Sequence, residues 1–124
     1  MTVEELKAYV EDRFGVEPEY LWRDYPDAFV FRRTSSRRWF AVVMDVQRQK
    51  LGFPGEQTVP VMDVKCGPIL SGSYLGKPGV VPAWHMNKNH WLGILPLEAE
   101  DDTIRELLEL SYGQIGRASC RERV

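Results

Sequence analysis

The chain has 124 residues and a mass of 14.3 kDa, and 44% of its residues are hydrophobic and 27% charged. This composition excludes an extensively disordered chain, and the length suits one domain that buries about two-thirds of the surface exposed on unfolding. The net charge of −2 argues against a strongly basic nucleic-acid-binding protein, and no apolar run approaches the roughly 20 residues that cross a bilayer.

The N-terminal segment is predicted to be an α-helix that ends at Gly15. Thr2 and Glu5 have the spacing of a capping box, in which a hydroxyl and a carboxylate each bind an unpaired N–H at the helix start. Apolar residues then recur at helical spacing, namely Val3, Leu6, Tyr9, Val10 and Phe14. Because the chain starts with acidic residues and has only two cysteines, we expect a cytoplasmic protein without a disulfide framework.

Five aromatic and β-branched runs predict β-strands, the first two forming a hairpin around Thr34-Ser35-Ser36. Within the third run, Pro60 indicates an edge position or a bulge. Pro68–Leu75 is predicted to be a short helix. In chain order the five predicted strands are Ala28–Arg33, Arg38–Val46, Thr58–Lys65, Val80–Trp84 and Trp91–Leu95.

A last helix is predicted to start at a cap formed by Asp101 or Asp102. Its buried face is expected to carry Ile104, Leu107, Leu108 and Ser111. The order of helix, hairpin, strands and helix predicts an α+β fold, in which a single antiparallel sheet of about five strands packs against N- and C-terminal helices.

The last ten residues, 115–124, are interpreted as a non-native tail. They resemble the translated read-through of a common sequencing adapter, and Gly116 is expected to end the helix before it. We therefore assign one domain to residues 1–114 and leave the tail out of functional reasoning.

The run Pro82–Trp91 has the highest density of side chains able to bind or to do chemistry. As a binding segment it would donate hydrogen bonds to phosphate oxygens or base edges, with an indole available for stacking. As a structural turn, the more common arrangement, it would pack Met86 and Trp91 into the core and bond a histidine to a backbone carbonyl. The polar residues concerned are His85, Asn87, Lys88 and His90.

The tip of the predicted hairpin carries the main basic cluster, formed by Arg32, Arg33, Arg37 and Arg38. A local basic patch can bind a phosphate backbone although the net charge is negative, and a solvated hairpin tip is an equal alternative. Lys65 ends the third strand and could face an anion near the histidines. Cys66, which follows it, is a candidate nucleophile if a histidine lies beside it. The histidine spacing and the absence of a cysteine or carboxylate between them argue against a zinc site.

A set of short motifs is spread over residues 1–113. They are Tyr25-Pro26-Asp27, Phe29-Val30-Phe31-Arg32, Trp39-Phe40-Ala41, Met44-Asp45-Val46, Lys50-Leu51-Gly52, Val64-Lys65-Cys66, Pro82-Ala83-Trp84-His85-Met86-Asn87-Lys88, His90-Trp91 and Ser111-Tyr112. Together these motifs resemble the MmcQ/YjbR family. Gly67 and Trp84 depart from the family pattern, which usually has an acidic residue and a tyrosine there. The resemblance implies a compact α+β domain with a CyaY-like sheet, and members of the family are often labelled DNA-binding.

We therefore expect a small, monomeric, non-enzymatic binding domain without metal or cofactor, which binds DNA weakly through the arginine hairpin and the His85–Trp91 segment. Two alternatives stay open. One is a small-molecule or anion-binding domain, with a catalytic role left undecided, centred on Lys65, His85, Lys88 and His90; the other is a protein-interaction domain. The residues of the leading hypothesis are Arg32, Arg33, Arg37, Arg38, Lys65, His85, Asn87, Lys88, His90 and Trp91.

Overall fold

A five-stranded antiparallel sheet and the two terminal helices form the α+β fold that the sequence predicts. The structure, a computed structural model, describes residues 1–67, 72–84, 86 and 90–121, with side chains of the last helix described up to residue 113. No helix in this described part has the length and apolarity needed to span a bilayer. The elements are α1 (Val3–Phe14), β1 (Phe29–Arg32), β2 (Trp39–Gln47), a 3-10 helix (Arg48–Leu51), β3 (Thr58–Lys65), β4 (Val80–Pro82), β5 (Trp91–Ile94) and α2 (Asp101–Arg121).

The predicted capping box of α1 is confirmed. The Thr2 hydroxyl accepts the Glu5 N–H at 3.1 Å, and the Glu5 carboxylate accepts the Thr2 N–H at 2.9 Å. The hydrogen bond from the Thr2 backbone lowers the pKa of Glu5. Gly15 ends the helix in the left-handed conformation, with φ of 67°, and its N–H caps the Glu11 carbonyl.

The strands lie in the order β1-β2-β3-β5-β4, and every neighbouring pair is antiparallel. The pairing of β3 with β5 begins only at Met62, opposite Ile94. The first half of β3, including Pro60, therefore pairs with β2 alone. This stretch is a local sheet edge, as the proline predicts, because no neighbour on its other side needs the missing N–H.

Both helices pack on one face of the sheet, where they enclose the larger apolar core. Ser111 of α2 is fully buried there, and its hydroxyl joins the helix to two strands. The hydroxyl donates to the Phe40 carbonyl at 2.6 Å and accepts the Lys65 N–H at 2.9 Å. The largest core side chains are Leu6, Phe29, Phe31, Phe40, Met62, Leu92, Ile94, Ile104, Leu107 and Leu108.

Two predictions for α2 are wrong. The helix begins at Asp101 itself, so Asp101 and Asp102 lie in its first turn, where carboxylates interact favourably with the helix dipole. The helix also continues through Gly116 to Arg121, since a glycine inside a helix costs only about 1 kcal/mol relative to alanine. Of the short helix predicted over 68–75, residues 72–74 are helical, and residues 68–71 lie outside the described residues.

We expect Ser111→Ala to lower the free energy of unfolding by about 1–3 kcal/mol, because it leaves a buried carbonyl and a strand N–H without their partner. Denaturant unfolding measures this change. Thr34→Ala, at the exposed hairpin tip, is the control and should change stability by less than about 0.5 kcal/mol. An equal effect of the two substitutions would contradict this role of Ser111.

Candidate functional site

The sheet face opposite α1 and α2, called here the outer face, carries a second apolar layer. This layer is built from strand residues and the segments that follow them, and neither α1 nor α2 contributes a described residue to it. All four tryptophans of the chain pack against it: Trp22, Trp39, Trp84 and Trp91. Its buried members are Val30, Val42, Val46, Val61, Val81, Ala83, Trp91 and Leu95.

A cleft of about 630 Å³ opens over β2 on the outer face. We call it the tryptophan cleft, because Trp22, Trp39 and Trp84 line it together with Met44 and Met86. Its volume lies within the roughly 300–1,000 Å³ range of small-molecule sites. The other lining residues are Asp24, Tyr25, Pro26, Asp27, Ala28, Val42, Asp45, Val46, Gln47, Lys50 and Thr58.

One wall of the cleft is the connection between α1 and β1. Glu19 pairs with Val30 along the free edge of β1 through two hydrogen bonds of 3.0 Å. The chain then carries Trp22 to the outer face, where its ring meets Trp39 edge-on at 5.9 Å between centroids. This pairing is a favourable aromatic geometry and orients both indoles at the cleft.

The same connection ends in a turn at the cleft rim. The Ala28 N–H donates to the Tyr25 carbonyl at 3.1 Å, and Pro26 occupies the second position of the turn, where its fixed φ is favourable. Tyr25 is 68% exposed although it is aromatic. The turn therefore holds Tyr25 at the rim, between two exposed carboxylates, Asp24 and Asp27.

The other wall is the segment that leaves β4, and Asp63 anchors it. Asp63 lies in β3, where it is only 1% exposed. One of its carboxylate oxygens accepts a hydrogen bond from the backbone N–H of Trp84 at 3.2 Å. Its strand neighbours are Val42 on β2 and Gly93 on β5. A Cβ at Gly93 would lie 2.9 Å from the Val81 side chain, so the glycine lets β4 approach closely before the chain reaches Trp84.

The described residues of the binding site predicted from sequence lie at one end of the sheet. Arg32 pairs with Trp39, and Lys65 with Trp91, so the register brings the hairpin tip, the end of β3 and the start of β5 to the same end. We call this region the basic end. Its members are Arg32, Arg33, Arg37, Arg38, Lys65 and His90.

Two arginines of the basic end are held by other parts of the protein. Arg32 Nε lies 3.2 Å from a carboxylate oxygen of Glu19. Arg33 donates to the Tyr112 carbonyl at 2.9 Å, and its guanidinium lies 4.2 Å from the centroid of the Tyr112 ring. Arg37 is exposed instead, with a positive φ of 62° at the hairpin tip.

The described part of the run Pro82–Trp91 resembles a structural turn more than a binding segment. Trp91 is 9% exposed and packs into the outer apolar layer, with Lys65 Nζ 5.6 Å from its ring centroid. His90 is exposed, and its carbonyl accepts the Cys66 N–H at 2.7 Å. Burial raises the pKa of the Cys66 thiol, which disfavours the nucleophilic thiolate. The predicted site residues His85, Asn87 and Lys88 lie outside the described residues.

Across the described ranges, no three His, Cys, Asp or Glu side chains are placed to share a metal ion. The aromatic and thioether groups of the cleft instead form the densest candidate cluster, which the sequence did not predict. Trp22 had no role in the prediction, and Tyr25 and Met44 entered only as parts of family motifs. One sequence signal could have indicated this cluster. The segment between α1 and β1 contains Trp22 and, shortly after it, the turn sequence Tyr25-Pro26-Asp27, which is typical of an exposed turn.

We expect Asp63→Leu to leave the Trp84 N–H without its buried acceptor, which should lower the free energy of unfolding by about 1–3 kcal/mol. The near-ultraviolet circular dichroism of the tryptophans should weaken as Trp84 loses its fixed position. Asp63→Asn is the matched control, because its amide oxygen can still accept the bond. If Asp63→Leu keeps the wild-type spectrum and stability, Asp63 does not anchor this wall.

Comparisons with known proteins identify the family. The sequence model of the YjbR family matches residues 12–114. Bacillus subtilis (strain 168) YyaQ, an uncharacterized protein, is 32% identical over 114 residues, which cover 90% of this chain and 96% of YyaQ. The crystal structure of a Pseudomonas syringae protein matches with a TM-score of 0.88 at 35% identity, covering 92% of this chain and 98% of that one.

A more distant match shows how widely the fold is shared. The crystal structure of a Deinococcus radiodurans protein has a TM-score of 0.60 at 20% identity, covering 90% of this chain and 75% of that one. At this identity the likeness concerns the fold alone. The family match and the similarity to YyaQ cover most of the chain, and on that evidence the protein belongs to the YjbR family.

Proposed function

We propose that the protein is a small-molecule-binding domain that holds a flat ligand in the tryptophan cleft. The observation that carries the proposal is the enclosure of about 630 Å³ by three indoles and two thioethers on the sheet face opposite the terminal helices. A concave, mainly apolar surface with a few polar groups at its rim is the usual form of a small-molecule site.

The chemistry of the lining favours a planar partner. Indole faces stack on flat rings, and each such contact contributes about 0.5–1.5 kcal/mol beyond the burial of area. Met44 and Met86 are flexible and polarisable, so they can adapt to the outline of a ring. A ligand of about 20 non-hydrogen atoms at about −0.3 kcal/mol per atom would bind with a Kd on the order of tens of micromolar.

The described lining suits holding a ligand more than transforming it. Its polar groups are three carboxylates, an amide, two hydroxyls, one ammonium and the indole N–H groups. Asp24, Asp27, Asp45 and Lys50 are all exposed to water. General acid or base catalysis usually draws on a buried or closely paired group whose pKa is tuned by its surroundings. The proposal is therefore binding without conversion of the ligand.

A second candidate is weak binding of a nucleic-acid backbone at the basic end. The observation that favours it is the register, which gathers Arg37, Lys65 and His90 at one end of the sheet. The ion contact of Arg32 with Glu19 and the bond of Arg33 to Tyr112 reduce the charge available for phosphate contacts. We rank this candidate second for that reason.

For the cleft, we expect flat aromatic compounds of about 20 non-hydrogen atoms to quench tryptophan fluorescence with a saturable affinity of tens of micromolar. Trp22→Leu should weaken the affinity by about tenfold, because it removes one aromatic wall from the cleft. Tyr20→Leu, an exposed aromatic residue outside the lining, is the control and should leave the affinity unchanged. Absence of saturation by every compound at about 1 mM would contradict the proposal.

For the basic end, we expect DNA binding only at low salt, with affinity falling as salt rises. The double variant Arg37→Ala/Lys65→Ala should flatten the slope of log affinity against log salt by about one to two units, since up to two phosphate contacts are lost. Lys50→Ala removes an exposed cation at the cleft and should keep the slope. Equal slopes for the three proteins, or no binding at low salt, would exclude this candidate.

A further inference from the structure

We infer that the tryptophan cleft selects flat organic cations, such as an aromatic ring system carrying a quaternary nitrogen. This inference rests on the proposed function, because it names the ligand class of the same cleft. It is carried by two independent features of the described lining. The rim has three carboxylates without an ion pair among the described residues, and no described lysine or arginine lies over the rings of Trp22 and Trp39.

The first feature is the charge of the rim. The lining contains three carboxylates, on Asp24, Asp27 and Asp45, and one ammonium, on Lys50, so that 1 − 3 gives a local charge of −2. None of the four arginines of the hairpin tip is among the residues that line the cleft. A concave site lined by one sign of charge raises the local concentration of ligands of the opposite sign.

The negative charge of the rim carboxylates is not neutralised by basic side chains among the described residues. Within the described part of the chain, no basic side chain forms an ion pair with Asp24, Asp27 or Asp45. Some acidic residues elsewhere are paired, since Glu19 lies beside Arg32 and Glu98 beside Arg48. The cleft carboxylates are thus available to a cation from outside.

The indoles supply the other feature. Indole is the best aromatic partner for a cation, which it attracts through the negative face of its ring. Several rings of this protein already hold an internal cation, including Trp91, whose centroid lies 5.6 Å from Lys65 Nζ. Among the described residues, no lysine or arginine lies over Trp22 or Trp39.

The arrangement of the rim places charge and ring on the same side. Asp24 and Asp27 flank the Tyr25-Pro26 turn, which the bond from the Ala28 N–H to the Tyr25 carbonyl closes at 3.1 Å. Trp22 lies two residues before Asp24, in the same wall. A planar cation between the indoles would therefore have carboxylates beside it, whereas a carboxylate or phosphate ligand would meet like charge.

Three compounds with one two-ring frame test this inference by calorimetry: N-methylquinolinium as the cation, 2-methylquinoline as the neutral compound and quinoline-2-carboxylate as the anion. At mildly alkaline pH and low salt, the cation should bind about tenfold more tightly than the neutral compound, and the anion least tightly. Added salt should reduce the difference, because the rim carboxylates are exposed.

Asp24→Asn/Asp27→Asn should reduce the preference for the cation to about twofold. The near-ultraviolet circular dichroism of the tryptophans should match that of the wild-type protein, which reports that the cleft stays folded. Asp12→Asn, an exposed acid on α1, is the control and should keep the full preference. Equal affinity of the wild-type protein for cation and neutral compound would overturn the ligand class and leave the proposed function standing. Binding of none of the three compounds would overturn both.

Discussion

The hydrogen bond from the backbone N–H of Trp84 to the Asp63 carboxylate organises the outer face of the sheet. It joins the middle of β3 to the segment that leaves the far edge strand, β4, and it is shielded from water because Asp63 is almost fully buried. A carboxylate in such a place is unfavourable unless it is hydrogen-bonded, so the bond commits this segment to lie against the sheet. Trp84 and Met86 are then placed in the apolar layer and at the cleft.

Both faces of the sheet carry apolar side chains, and the two faces are covered by different kinds of segment. On the inner face, α1 and α2 cover the strands with whole helical surfaces and enclose the larger apolar core. On the outer face, two loop segments and their tryptophans cover an apolar layer only in part. Loop-borne aromatic groups on a rigid sheet are a common arrangement for binding, and here they leave a cleft with an acidic rim.

Local patterns in the sequence predicted most of the fold. The capping box at Thr2, the glycine that ends α1 and the buried face of α2 depend on neighbouring residues, and all of them are confirmed. The cleft could not be predicted in this way, because tertiary contacts bring its tryptophans together. These are the pairing of Glu19 with Val30 before Trp22 and the hydrogen bond from Trp84 to Asp63. The contacts of Arg32 with Glu19 and of Arg33 with Tyr112 are also tertiary, so the sequence could not indicate them either.

The most direct test of the central claim, that ligand binds in the cleft, is a titration of the four indole N–H signals by nuclear magnetic resonance. With a flat aromatic cation as the ligand, the signals of Trp22, Trp39 and Trp84 should shift together along one saturation curve. The signal of Trp91, which packs in the same apolar layer but does not line the cleft, should shift least. A response dominated by Trp91, or no response from any indole, would contradict the account.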